Sequence, residues 1–123
     1  MGGSHTPDGQ APARWLELAG RRVAVDGRGY LLDPADWEPA LAEAMAAADG
    51  LRLGQEHWQV LELLRAYFRE HGRSPPMRLL VREVARVLGS ERADSRALYR
   101  LFPQGPAKQA ARYAGLPRPT SCI

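Results

Sequence analysis

From Gln55 to His71 the chain sets Trp58, Leu61, Leu64 and Phe68 in one row, with Val60, Leu63 and Tyr67 beside it. Apolar residues three and four apart predict a helix, and so broad an apolar face predicts one packed at the centre of a helical body. Gly72 supplies its stop. Met77, Leu80/Val81, Val84 and Val87/Leu88 repeat the spacing and end at Gly89, with Ser74 expected as the cap and Pro75-Pro76 opening the helix. An earlier helix is predicted from Asp36 as N-cap to about Ala48, carrying Leu41 and Met45 inward and ended by Asp49-Gly50. Ser90 to Ala93 reads as a polar loop, and Asp94 as the cap of a short helix from Ser95 to about Phe102. Pro103-Gln104-Gly105 then breaks the chain, and Pro106 opens a last helix through Ala114, stopped by Gly115.

Two β-favouring runs, Arg22 to Val25 and Tyr30 to Leu32, flank Asp26-Gly27-Arg28-Gly29 and predict a hairpin lying on the helices. The glycines of that turn lack the lysine and helix of a phosphate loop. Met1 to Ala13 shows no periodicity and is expected to be disordered. Beyond Gly115, Pro117 and Pro119 alternate with Leu116 and Arg118, which favours an extended arm. The fold class is therefore mostly α: a small helical domain with an N-terminal β-hairpin and an extended, mobile C-terminal arm. Its expected boundaries are a disordered segment over 1–19, the helical domain over 20–115 and the arm over 116–123, which is expected to be removable without loss of stability.

Composition narrows the function classes. At 123 residues, 45% hydrophobic and 25% charged, the chain has the make-up of an ordinary globular domain. A single cysteine excludes an internal disulfide, and no apolar run suits a membrane span or signal peptide, so the reducing cytoplasm is the expected compartment. The net charge of +3 conceals a gradient: residues 1–67 carry six Arg against ten Asp/Glu, and residues 68–123 carry eleven Lys/Arg against four. Arg78, Arg82 and Arg86 fall at i, i+4 and i+8 on one helix, and Lys108, Arg112 and Arg118 follow the last acidic residue, Asp94. These six are the candidate docking residues for an acidic or polyanionic partner, unless they form only a solvated surface.

Triads, paired carboxylates, CxxC and HExxH motifs are absent. His57 and His71 have no ligand partners at metal-binding spacing, so no metal and no cofactor is expected. Cys122 is the one strong nucleophile, and Lys108, Arg112 and Arg118 would favour its thiolate. The seven residues from Leu116 to Cys122 carry it about 20 Å from the last helix if extended.

The run from Leu101-Phe102-Pro103-Gln104-Gly105-Pro106-Ala107-Lys108-Gln109-Ala110 through Arg112-Tyr113-Ala114-Gly115 to Leu116-Pro117-Arg118-Pro119 and Cys122-Ile123 resembles the C-terminal signature of the DsrC/TusE family of sulfur-relay proteins. Glu56-His57-Trp58, Ser74 to Val81 and Leu98 to Pro103 add to it, so that the resemblance covers roughly residues 20 to 123. It implies a DsrC-like fold and a sulfurtransferase that carries sulfane sulfur as a persulfide on Cys122. Ala111 stands where sulfite-reductase-linked DsrC proteins look to have a second cysteine, which moves the match toward the TusE branch. That branch implies a TusBCD-like donor complex and an MnmA-like thiouridylase with tRNA as partners, in wobble 2-thiouridine synthesis, and no membrane. A single-cysteine carrier in dissimilatory sulfur metabolism stays open, with other donors and acceptors. A monomer is the expected state. From another class, the central helix, short turn and Arg78/Arg82/Arg86 helix loosely resemble a helix-turn-helix that binds nucleic acid.

Overall fold

The structure, a computed structural model, describes residues 14–120, the side chain of Arg92 excepted. Strands β1 (Arg14–Leu18) and β2 (Arg21–Val25) pair antiparallel, with Leu16 opposite Val23 and Leu18 opposite Arg21. Five helices follow: α1 (Pro39–Ala48), α2 (Gln55–His71), α3 (Met77–Leu88), α4 (Ser95–Leu101) and α5 (Pro106–Tyr113). The mostly helical fold with a hairpin is as the sequence predicts, but the details differ in four places.

The hairpin sits earlier than expected. Ala19 and Gly20 at φ 53 and 74 form the tight turn, which matches strand twist but lacks the usual Asn-Gly signal. Strand β1 thus lies within the segment expected to be disordered over 1–19. The predicted pairing of β2 with Tyr30 to Leu32 survives as one bridge, Val25 to Leu31, around a turn in which Asp26 Oδ1 accepts from the Arg28 and Tyr30 amides. Second, Asp36 does not cap α1. It closes a short 3-10 turn, Pro34–Asp36, capped by Asp33, and α1 starts at Pro39 without a side-chain cap. Third, α3 starts at Met77 behind Pro76, and the buried Ser74 donates from Oγ to Pro117 O at 2.5 Å.

Fourth, the centre of the packing is α5 rather than α2 alone. This eight-residue helix touches α1, α2, α3 and α4. It can do so because its buried faces are small: Ala110, Ala111 and the following Ala114 are all fully buried, and their short side chains admit neighbouring helices closely. Phe102, Tyr113, Leu61, Leu64, Leu80, Val84 and Leu98 complete the core.

The end of α5 explains how the arm is mounted. Gly115 at φ 73 turns the chain left-handed, its N–H meeting Arg112 O at 3.2 Å and that of Leu116 meeting Ala111 O at 3.0 Å. This pair of bonds is a Schellman closure, and Leu116 buries its side chain as the motif favours. Tyr113 O accepts from Trp37 Nε1 at 2.8 Å, and Ala114 O from Arg65 Nη1 at 2.8 Å. Each of the carbonyls that α5 leaves open at its end is therefore satisfied. The arm is extended beyond this point, but its root is fastened: Leu116 and Pro119 are buried, and Ser74 holds Pro117. Removing the arm from Gly115 onward therefore takes away a buried leucine, worth about 1.5–3 kcal/mol, contrary to the expectation of no loss. Residues 121–123, and with them Cys122, lie outside the described residues, as do residues 1–13.

A Cβ on Gly115 would meet Trp37 Cδ1 at 2.5 Å, whereas one on Gly72, at nearly the same φ of 72, would meet nothing within 4 Å. Gly72→Ala is expected to cost about 1 kcal/mol, the left-handed strain alone. Gly115→Ala adds displacement of the Trp37 ring and is expected to cost about 3 kcal/mol or more. Denaturant unfolding of the two variants checks the difference; equal losses would mean that Trp37 does not fix the arm's root.

Candidate functional site

Three of the predicted residues meet at one place. Lys108 and Arg112 on α5 and Arg118 on the arm line a cleft of about 390 Å³, together with Arg28, Tyr30, Gln104 and Gln109. Helical spacing puts Lys108 and Arg112 on the same side of α5, i and i+4, while the Schellman turn brings the arm back past them. Arg28 reaches the cleft from the tip of the Gly-rich turn. Sequence reasoning treated that turn as a connector and missed it; the Arg between two glycines was the available signal.

The floor of the cleft is a closed hydrogen-bond network. Arg112 Nη2 pairs with Asp49 Oδ2 at 2.6 Å and also reaches Gln104 Oε1 at 3.3 Å. Tyr113 donates to the same Asp49 oxygen at 2.7 Å and accepts from Gln109 Nε2 at 2.8 Å. The buried Gln109 accepts in turn from the Gln104 amide at 2.7 Å, and Tyr30 donates to Lys108 O at 3.1 Å. Arg112 thus has a carboxylate partner and serves to hold the wall in place. Arg28, Lys108 and Arg118 are exposed and have no ion pair among the described residues.

The other predicted residues do not join this cleft. Arg78, Arg82 and Arg86 are exposed along α3, and Arg86 is engaged by Glu83 at 2.7 Å. The first turn of α3 presents only Arg78 to solvent, with Met77 and Leu79 half-buried and Leu80 buried, which is a poor surface for reading bases. His57 is structural: its Nδ1 accepts from the Gly54 amide at 3.0 Å, so Nε2 carries the proton and donates to Leu101 O at 2.9 Å. Among the described residues there is no group of His, Cys, Asp and Glu placed to hold a metal ion, and no helix long and apolar enough to cross a membrane.

Burial, and secondarily the bond to Asp49, pushes the Tyr113 phenol from 10.0 up to about 12. The folded protein therefore keeps a proton that the unfolded chain loses, and its contribution to stability is complete below pH 10 and lost as pH rises toward about 12. Tyr113→Phe is expected to flatten that alkaline loss while lowering stability at neutral pH by about 1 kcal/mol. Unfolding curves from pH 8 to 12 check this; an unchanged alkaline slope would place the titration elsewhere.

Comparison with known proteins identifies the family and the fold. The family described as DsrC like protein matches residues 17–123. The sulfurtransferase TusE of Pectobacterium atrosepticum is 46% identical over 108 residues, which cover 88% of this chain and 99% of that protein. Its namesake from Yersinia pestis is 47% identical over the same shares. Among solved structures, the NMR structure of Allochromatium vinosum DsrC superposes with a TM-score of 0.80 at 47% identity, covering 89% of this chain and 97% of that one. The crystal structure of the oxidized γ-subunit of dissimilatory sulfite reductase (DsrC) from Archaeoglobus fulgidus gives 0.77 at 38% identity, covering 89% and 100%. The chain belongs to the DsrC family.

Proposed function

We propose that this protein is a sulfurtransferase of the relay type, carrying sulfane sulfur on Cys122 and delivering it toward the thiolation of tRNA. The observation that carries the reading is the match, over 88% of the chain, to proteins named sulfurtransferase TusE, in a sequence whose only cysteine stands on a fastened arm. In the loading step the Cys122 thiolate attacks the outer sulfur of a donor persulfide. The new S–S bond forms as the donor's own S–S bond breaks, and the electron pair leaves with the donor thiolate. Delivery is the same exchange in reverse: an acceptor thiolate takes the outer sulfur, and Cys122 departs as thiolate. Neither step needs an external oxidant or reductant.

The donor in this reading is a TusBCD-type complex and the acceptor an MnmA-type thiouridylase acting on wobble uridine. One feature of the chain favours this branch over the dissimilatory one. Residue 111 is alanine, and it is fully buried in the core, so no second thiol stands ready to resolve a persulfide within the chain. Sulfur held on Cys122 then awaits the partner's thiol. Arg118 lies four residues before Cys122, which bounds their separation at about 14 Å and keeps the sulfur within reach of the basic cleft. The cations there favour the thiolate and persulfide anions.

Incubation with a loaded donor is expected to add one sulfur, about 32 Da, to the intact protein, removable by reductant. Cys122→Ser is expected to gain nothing. Wild-type protein that accepts no sulfur from a cognate donor, while Cys122 remains alkylatable, would reject the relay.

The exposed stripe of Arg78, Arg82 and Arg86 on α3 forms the docking surface in this proposal, and Lys108 and Arg118 serve the sulfur end. Replacing the three α3 arginines by glutamate is expected to weaken donor binding at least about tenfold at low salt, with a smaller effect at high salt. Alkylation of Cys122 should be unchanged. Affinity titrations at two ionic strengths check this, and equal affinity at low salt would assign the stripe to solvated surface.

A further inference from the structure

We infer that the cleft between Arg28, Lys108 and Arg118 is a binding site for a phosphate-class oxyanion, supplied either as a free ion or as a backbone phosphate of RNA. The inference does not depend on sulfur transfer. It rests on what the cleft offers and lacks. Arg28, Lys108 and Arg118 bring three cations from three separate parts of the chain: the Gly-rich turn, α5 and the arm. None of them has an ion partner among the described residues. Two carboxylates lie nearby: Asp49 is occupied by Arg112 and by the Tyr113 hydroxyl, and Asp26 accepts through Oδ1 from the backbone amides of Arg28 and Tyr30.

The remaining polar lining is mostly committed as well. Gln109 spends its amide on Tyr113 and its oxygen on the Gln104 N–H. Tyr30 donates to Lys108 O, and Gln104 Oε1 accepts from Arg112. What the lining leaves free is donors: two guanidinium groups, an ammonium and the Gln104 side-chain amide nitrogen. A site with several free donors and no carboxylate among its lining residues recognises anions, and planar guanidinium groups suit the paired oxygens of phosphate. The turn beside the cleft is shaped to gather these charges. Gly29, at φ 90, has no side chain, and Arg14 Nη2 and Arg112 Cδ come within 3.7 and 3.5 Å of the place where a Cβ would sit. Arg14 thereby adds a further cation at the margin, and it too has no ion partner among the described residues.

Size permits more than a lone ion. About 390 Å³ lies at the low end of the roughly 300–1,000 Å³ range of small-molecule pockets. Because Arg118 belongs to the arm, an occupant held jointly by Arg118 and Lys108 would also tie the arm to α5. A backbone phosphate of RNA and a free phosphate ion would use the same donors, and the free ion is the simpler source.

The test uses full-length Cys122→Ser protein, which cannot carry sulfur, so binding is read apart from relay. Inorganic phosphate, thiosulfate, a single-stranded RNA oligonucleotide and a Glu-rich peptide are titrated in turn and followed by the amide shifts of Arg28, Lys108 and Arg118. Saturable shifts at these residues with an oxyanion or RNA are expected. Arg28→Gln and Lys108→Gln should each weaken binding about threefold or more, and the double variant at least about tenfold, as removal of exposed charges implies. If RNA is the source, Lys108→Gln should also lower the slope of log affinity against log salt by about one phosphate contact. A response to free phosphate alone, with no tighter binding of RNA, would support the site and assign it to a small ion. Binding of neither class, a preference for the Glu-rich peptide, or affinity unchanged in the double variant would overturn it.

Discussion

The arrangement turns on the contact between the Trp37 ring and Gly115. Glycine at this point serves two needs together, a left-handed turn and the space that a Cβ would take from the indole. Trp37 in turn ends one face of a stack, with the Arg65 guanidinium 3.9 Å above its ring centroid. Cation–π attraction holds the two side chains together, and each then donates to a carbonyl at the close of α5. The positive Arg65 also lies where a helix C-terminus concentrates negative partial charge. A residue from the connector before α1 and another from the middle of α2 thus combine to finish a helix much later in the chain. The arm leaves the body at an angle set by that closure.

The same closure accounts for the burial of α5. A helix of eight residues is too short to be stable by itself in water, so its existence depends on contacts with its neighbours. Alanines at 110, 111 and 114 allow those contacts to be close, while Tyr113 and Gln109 enter the core with their polar ends satisfied by Asp49 and Gln104. Position 111 is therefore constrained by packing before any chemistry is considered. A larger side chain there would press on the core, and a thiol there would have to leave its packed place to meet one on the arm.

Helix limits were legible in the sequence because they depend on local chemistry. Gly72, Gly89 and Gly115 stop helices, Asp94 caps α4 through the Arg96 amide, and Pro106 opens α5. The apolar row of α2 was equally plain. What escaped was non-local. Asp36 and Ser74 have the composition of caps, but Pro39 and Pro76 set the helix starts later, and Ser74 finds Pro117 instead. Strand β1 alternates Leu16 and Leu18 with exposed Trp15 and Glu17, yet its Ala19-Gly20 turn is not one that pattern reasoning favours. Of the six basic residues singled out, Lys108, Arg112 and Arg118 converge, because α5 and the arm fold back together, and the α3 stripe stands apart. Arg28 joins them across a sequence gap that no periodicity spans.

This separation of charge has a consequence for the proposed relay on Cys122. In the relay proposed above, docking of the body on a partner would make the subsequent encounter of the thiol intramolecular, with a high effective concentration. Residues that govern docking need not be near the sulfur, and those near the sulfur need not be strong binders. Arg78, Arg82 and Arg86, exposed along a helix and outside the cleft, suit the first task. Lys108 and Arg118, exposed beside the arm's course, suit the second, since they can stabilise an anion without fixing it permanently. Arg112 is different again: its pairing with Asp49 and its place over the Tyr113 ring hold the end of α5 rigid. If that ion pair were loosened, the first effect would fall on the direction in which the arm leaves the body, and only through it on the chemistry at Cys122.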